Sequence, residues 1–143
     1  MRRAIAAGAH PLLGGAVSPA LGGLYYQPTL LGGAAPGSEI LTEEVFGPVL
    51  TLQTFTSEAE AVAMANGTPY GLAATVFTGD KARAQRVAAK LVASTVWVNC
   101  FFVRDLAAPF GGSRNSGIGR EGGVWSFDFY ADVKNVCMAP WSD

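Results

Sequence analysis

The spacing of apolar and polar positions is most informative in the middle of the chain. Residues 49–55 are rich in β-branched and apolar side chains and predict a strand. The next four residues, Ser57-Glu58-Ala59-Glu60, spell a capping box that opens a helix running to Asn66-Gly67. Within it Ala59, Val62, Ala63 and Asn66 share one face, expected to pack on a sheet. Residues 73–78 predict a second short strand, and Asp80 caps a second helix. In that helix Ala84, Val87, Ala88 and Leu91 recur at i, i+3, i+4 and i+7, while Lys81, Arg83, Arg86 and Lys90 face water. Residues 95–98 then predict a third strand. Strand, helix, strand, helix, strand is the pattern of an α/β fold with parallel strands joined by crossover helices.

The flanks are less regular. Residues 2–7 read as a helix end with Gly8 as its C-cap, followed by a short strand at 11–13. Residues 14–37 are rich in glycine and proline, with one apolar island at 24–31. That island reads as loop plus an edge strand, because Pro28 lacks the donor an interior strand needs. Toward the other end, residues 123–130 read as a short helix. Residues 132–138 read as a last, exposed strand that pairs outside its own domain.

Composition narrows the function. The 143 residues are one domain's worth of chain, half of them hydrophobic and 15% charged. That is apolar enough to expect some of the surface to meet another chain or a further part of the protein. A net charge of −1, with 10 scattered Lys and Arg, argues against a nucleic-acid partner. Cys100, Cys137 and the single His10 make no metal-ligand spacing, so no metal is expected, and a reduced, cytoplasmic protein is the default. The basic start Met1-Arg2-Arg3 imitates a secretory leader, but Gly8, His10 and Pro11 interrupt it. No apolar run is long enough to span a bilayer, so no membrane partner is expected.

Candidate chemistry gathers between Val98 and Glu121, where a strand runs into a loop carrying a charged pair, aromatics and glycines. Gly117-Ile118-Gly119-Arg120-Glu121-Gly122 matches the dinucleotide fingerprint G-x-G-x-x-G. It lacks the preceding strand and the following helix and strand that give the motif meaning, and reads as a false lead. Glu43-Glu44 is either an ordinary acidic loop or a carboxylate that accepts two sugar hydroxyls beside the aromatic Phe46. Arg104 is either a local ion pair with Asp105 or, if Asp105 is engaged elsewhere, a bidentate clamp for a substrate carboxylate among Phe101, Phe102 and Phe110. Cys100 has no evident base, so a buried structural thiol is favoured over a nucleophile, and Cys137 is read the same way.

Five segments taken together, Glu43-Glu44-Val45-Phe46-Gly47-Pro48, Asn66-Gly67-Thr68-Pro69-Tyr70-Gly71-Leu72-Ala73-Ala74, Trp97-Val98-Asn99, Pro109-Phe110-Gly111-Gly112 and Ser116-Gly117-Ile118-Gly119-Arg120-Glu121, resemble the C-terminal part of the NAD(P)-dependent aldehyde dehydrogenase superfamily. The run from Asn99 to Leu106, with Gly119-Arg120-Glu121-Gly122-Gly123 and Ser126-Phe127-Asp128-Phe129-Tyr130, resembles the muconic semialdehyde dehydrogenases in particular, including the 5-carboxymethyl-2-hydroxymuconate and 2-hydroxymuconic types.

The resemblance implies a partial catalytic domain at residues 1–130 and a C-terminal oligomerisation strand and tail at 131–143. It implies that Glu44 binds the nicotinamide ribose, that Phe46 lies beside the nicotinamide, and that Arg104 and Phe110 line the substrate pocket, Arg104 anchoring a semialdehyde's carboxylate. Relatives tend to carry a second arginine after Leu106; this chain has Ala107-Ala108.

The family's nucleophilic cysteine, its general base and its nucleotide-binding domain match nothing here, so no catalytic residue is assigned and the isolated chain is expected to be inactive. The complete enzyme would oxidise a carboxylated semialdehyde with NAD, or with NADP as the alternative, in the cytoplasm, as a homo-oligomer or in association with an N-terminal portion. The rival reading is a non-catalytic assembly or binding module.

Overall fold

A computed structural model describes residues 1–21 and 23–141. The chain divides into two units, Met1–Pro69 and Tyr70–Asp143.

The first unit opens with α1 (Arg2–Ala6), which ends in a Schellman turn: Gly8 takes φ +101°, its N–H donates to Ile5 O, and the Ala9 N–H reaches Ala4 O, both at 3.0 Å. The glycine does the work expected of it. The strands β1 (His10–Leu13), β2 (Thr29–Gly32) and β3 (Val49–Thr51) form one sheet in that order, β1 antiparallel and β3 parallel to β2, with α2 (Glu39–Thr42) between β2 and β3.

Two expectations change here. The anticipated edge strand is the central one, since it begins at Thr29, immediately after Pro28, and so keeps the missing donor out of the ladder. Leu31 is fully buried, while Leu24 and Tyr25 stay exposed and Tyr26 lies outside the strand, in an isolated bridge to Val17. The strand expected over 49–55 is three residues long because β2 stops at Gly32. Leu52 N–H to Leu31 O, at 2.7 Å, is its last bond to that neighbour.

The helix α3 (Glu58–Asn66) starts at its capping box. Ser57 Oγ accepts from the Glu60 N–H at 3.2 Å, and Glu60 Oε2 accepts from both Thr56 N–H and Thr56 Oγ1 at 2.8 Å, one residue further back than the usual reciprocal bond. Its expected apolar face is not packed on a sheet. The helix buries none of its residues, and Ala59 and Ala63 are exposed. Val62 and Asn66 are half-buried, and the two alanines add little apolar area to that face.

The second unit holds a β-α-β crossover of the predicted kind: β5 (Ala73–Val76) and β6 (Thr95–Val98) pair in parallel through α4 (Lys81–Lys90). Asp80 Oδ1 accepts from the N–H groups of Ala82 and Arg83 at 2.9 and 3.1 Å. Those bonds, the one from Arg83 foremost, hold its carboxyl below the ordinary range. Ala84 is buried and Val87, Ala88 and Leu91 half-buried, whereas the four basic residues are exposed, as their spacing requires. A two-residue pair not foreseen, β4 (Tyr70–Gly71) with β7 (Ser113–Arg114), runs antiparallel, and α5 (Trp125–Tyr130) follows the glycine-rich loop.

Few side chains are deeply covered: the buried apolar residues are Ala9, Leu31, Ala84 and Trp97 among those described. After α5, Ala131 turns extended and residues 132–141 join no ladder among the described residues, leaving Val133, Val136 and Met138 exposed. Cys137, expected to be buried, is exposed on this segment, which no strand or helix covers among the described residues.

Candidate functional site

The strand β6 delivers the chain into a hooked loop. Trp97, only 8% exposed, donates from Nε1 to Val103 O at 2.8 Å, pulling the chain back over the strand end. Its ring meets Phe101 and Phe102 at centroid distances of 5.6 and 6.1 Å. Two residues in the hook, Asn99 and Phe102, take positive φ (53° and 58°). Asparagine tolerates that region and phenylalanine rarely enters it, so the aromatic cluster and the Trp97 bond hold the turn in a conformation its own residues disfavour.

The hook removes one of the alternatives for Arg104, the local pair with Asp105. Asp105 is engaged in its own turn: Oδ1 accepts from the Ala107 N–H at 2.9 Å, and Ala108 N–H bonds Asp105 O at 3.1 Å. Arg104 therefore turns away from its neighbour. Its Cζ lies 4.3 Å from the centroid of the Phe110 ring, a cation–π geometry, and Nη2 stands 3.6 Å from Glu121 Oε1. That last distance is an ion pair but longer than a hydrogen bond. Phe110 and Glu121 are themselves joined, since each backbone N–H donates to the other's carbonyl at 2.8 Å. Arg104, Phe110 and Glu121 thus form one cluster.

Two features of its support escape sequence reasoning. Arg120 donates through Nη1 to the carbonyls of Gly112 and Gly119, each at 2.6 Å, and through Nη2 to Ser94 Oγ at 3.0 Å. It ties the glycine-rich loop to the residue preceding β6. The available signal was a guanidinium placed among glycines whose carbonyls lack ladder partners. The second is Gly122, at φ +93°: a Cβ there would overlap Ala108 O, and Gly123 N–H donates to Leu106 O at 3.0 Å. The turn at Asp105 is docked on these two glycines, backbone against backbone.

The apparent dinucleotide fingerprint has this loop-bracing role. It follows the two-residue β7 and leads through the Glu121 bridge to a six-residue helix, with no strand beyond among the described residues. Cys100 is half-buried at the mouth of the hook. His10 lies against Gly32 and Gly33 in the first unit, and no group of three or more potential metal ligands occurs among the described residues.

Glu44 and Phe46 occupy a different element, the loop between α2 and β3. Phe46 takes φ 53° and is 91% exposed, with Glu44 exposed beside it. An open cleft of about 390 Å³, lined by Ile40, Glu43, Glu44, Phe46 and Leu50 among others, runs along this loop. A carboxylate there can accept hydrogen bonds and the bare ring offers a flat apolar face. The structure brings Arg104 to Phe110 and puts Glu44 with Phe46; the two pairs belong to different units.

Comparison with known proteins supplies the family context. The sequence profile described as "Aldehyde dehydrogenase family" matches residues 1–136. The 2-hydroxymuconic semialdehyde dehydrogenase of Pseudomonas sp. (strain CF600) is 50% identical over 141 residues, covering 96% of this chain and 29% of that protein. Among solved structures, betaine aldehyde dehydrogenase from Staphylococcus aureus in complex with NAD+ superposes with a TM-score of 0.83 at 43% identity, over 89% of this chain and 26% of that one. An NADP dependent enzyme of E. coli reaches 0.86 at 36% identity, over 96% and 28%. The chain spans less than a third of the length of each of these relatives.

Proposed function

Since this chain belongs to the aldehyde dehydrogenase family, we propose that residues 1–130 are part of a catalytic domain that oxidises a carboxylated semialdehyde to the acid, and that residues 131–143 serve as an oligomerisation arm. Residues 142 and 143 of that arm lie outside the described residues. The observation that carries the substrate reading is Arg104: its guanidinium rests on Phe110 at 4.3 Å while Asp105 is engaged in its own turn. An aromatic wall bearing one cation suits a flat, anionic molecule. A relative half identical to this chain is named for a substrate of that kind, a muconic semialdehyde.

Glu44 is assigned to the ribose next to the nicotinamide and Phe46 to a flank of the nicotinamide ring, the dinucleotide being NAD, with NADP as the alternative. The dinucleotide, when bound, supplies the hydride acceptor. The chain's residues orient its reactive end and hold the substrate's far carboxylate. Among the described residues neither thiol is bonded to a histidine or a carboxylate, so no catalytic residue is assigned and the 143 residues by themselves are expected to be inactive. Two free thiols suit a reducing, cytoplasmic setting.

The partners proposed are the semialdehyde and either further copies of the chain or an N-terminal portion of the enzyme. A second reading, a non-catalytic assembly module, is favoured by the exposed apolar residues Val133, Val136 and Met138, which join no ladder among the described residues. The two are separated by following NADH formation from 2-hydroxymuconic semialdehyde with the chain alone and with an added N-terminal portion of a relative. Activity that appears only in the mixture supports the first reading. Association without activity supports the second, and activity of the chain alone overturns the expected inactivity.

A further inference from the structure

We propose that Glu121 is a specificity-determining residue: its carboxylate is a built-in competitor for Arg104, occupying the guanidinium until a substrate carboxylate displaces it. This rests on the reading of Arg104 as the anchor for a carboxylated substrate. Three observations support it. Glu121 Oε1 stands 3.6 Å from Arg104 Nη2, close enough to neutralise the cation and too far for a directional hydrogen bond. Both side chains are solvent-accessible, 35% for Arg104 and 51% for Glu121, so the pair is weak and easily exchanged. The guanidinium is held from another direction, over the Phe110 ring, so releasing Glu121 does not release Arg104.

Glu121 is placed by its backbone rather than by this ion pair. It exchanges two 2.8 Å backbone bonds with Phe110, so its main chain stays paired beside that ring whatever the charge of the carboxylate. A ligand carboxylate that makes two parallel hydrogen bonds to the fork gains what the 3.6 Å contact lacks. A neutral or singly bonded ligand gains little over Glu121. The competitor therefore screens for anions able to bind bidentately, and does so at some cost in affinity.

The test uses the 143-residue chain labelled with ¹⁵N-arginine and titrated with cis,cis-muconate, a flat dicarboxylate, with its dimethyl ester as the neutral control. Binding is read from the Arg104 Nε–Hε shift, assigned by its loss in Arg104→Met, and the ring resonances of Phe110 report on that variant itself. Removing a weak exposed ion pair should tighten muconate binding about two- to fivefold in Glu121→Gln. Glu121→Ala should do the same, and Arg104→Met should abolish saturable binding. A damaged fold weakens binding, so tightening is a signature that a merely structural role for Glu121 does not produce.

If both Glu121 variants bind no tighter than the parent while Arg104→Met still loses binding, the competitor role fails and the anchor stands. If Arg104→Met binds as well as the parent, or if none of the chains binds, both fail.

Discussion

The side chain of Asn99 closes on the backbone of Thr78 as if it were another strand residue, accepting from the Thr78 N–H at 2.8 Å and donating to Thr78 O at 2.9 Å. It adds a rung beyond Val76 and Val98, the last paired residues of β5 and β6, and it does so from a left-handed conformation (φ 53°). Replacing Asn99 with Ala removes both bonds and puts an ordinary side chain at positive φ. The expected loss is about 1–2 kcal/mol by equilibrium urea denaturation. Asn99→Gly, which relieves only the backbone, should lose less. Equal losses would show that the left-handed backbone adds nothing to the cost and that the side-chain bonds carry it.

Arg120→Lys keeps a charge but cannot reach two carbonyls and Ser94 together. We expect a destabilisation of about 1–3 kcal/mol and altered amide shifts at Gly112 and Gly119. Unchanged shifts at both glycines would rule out the loop-bracing role.

Gly122→Ala forces a Cβ toward Ala108 O at φ +93°. Strain alone costs about 1–2 kcal/mol, and the turn at Asp105 must move to relieve the overlap. Hydrogen exchange at Ala107 and Ala108 should quicken relative to β5 and β6, whose protection should be unchanged. Uniform quickening would indicate global unfolding instead.

Acid should loosen the start of α4 through Asp80. Its folded pKa is depressed, mainly by the N–H of Arg83, so its stabilisation is complete above the ordinary carboxylate pKa of about 3.9 and lost as pH falls through the lower folded value. Asp80→Asn keeps an N-cap without the titration. Thermal midpoints followed from pH 5 down to pH 2 should fall less steeply in this variant than in the parent. Parallel curves would remove Asp80 from the acid response.

The parts of this molecule legible from its sequence are those governed by short-range rules. Ser57 and Asp80 cap helices because their acceptors need only reach an N–H two or three residues on, and α4 declares its buried face through Ala84, Val87, Ala88 and Leu91. Gly8 closes α1 for an equally local reason. Long-range pairing was less visible. That β2 is central depends on β1 and β3 flanking it, and nothing near Thr29 announces either partner.

The same division applies to the candidate site. Arg104 and Phe110 stand out as a cation and an aromatic in one loop, but which acid faces Arg104 was decided by the Phe110–Glu121 backbone pairing and by the turn that occupies Asp105. Periodicity carries no record of such contacts. The open face of α3 was misjudged because spacing identifies an apolar stripe without saying how much area it offers.

The scarcity of buried side chains has a thermodynamic consequence. The chain leaves 10666 Å² accessible, against about 8,400 Å² for two separate folded domains sharing its mass equally. The difference, roughly 2,000 Å², is the size of a substantial protein interface. Unfolding such a chain uncovers less new surface than its length implies, so both the heat-capacity increment and the denaturant m-value should be small for 143 residues. Its transition should be shallow in isolation and steepen when a partner covers Leu24, Val133 or Met138.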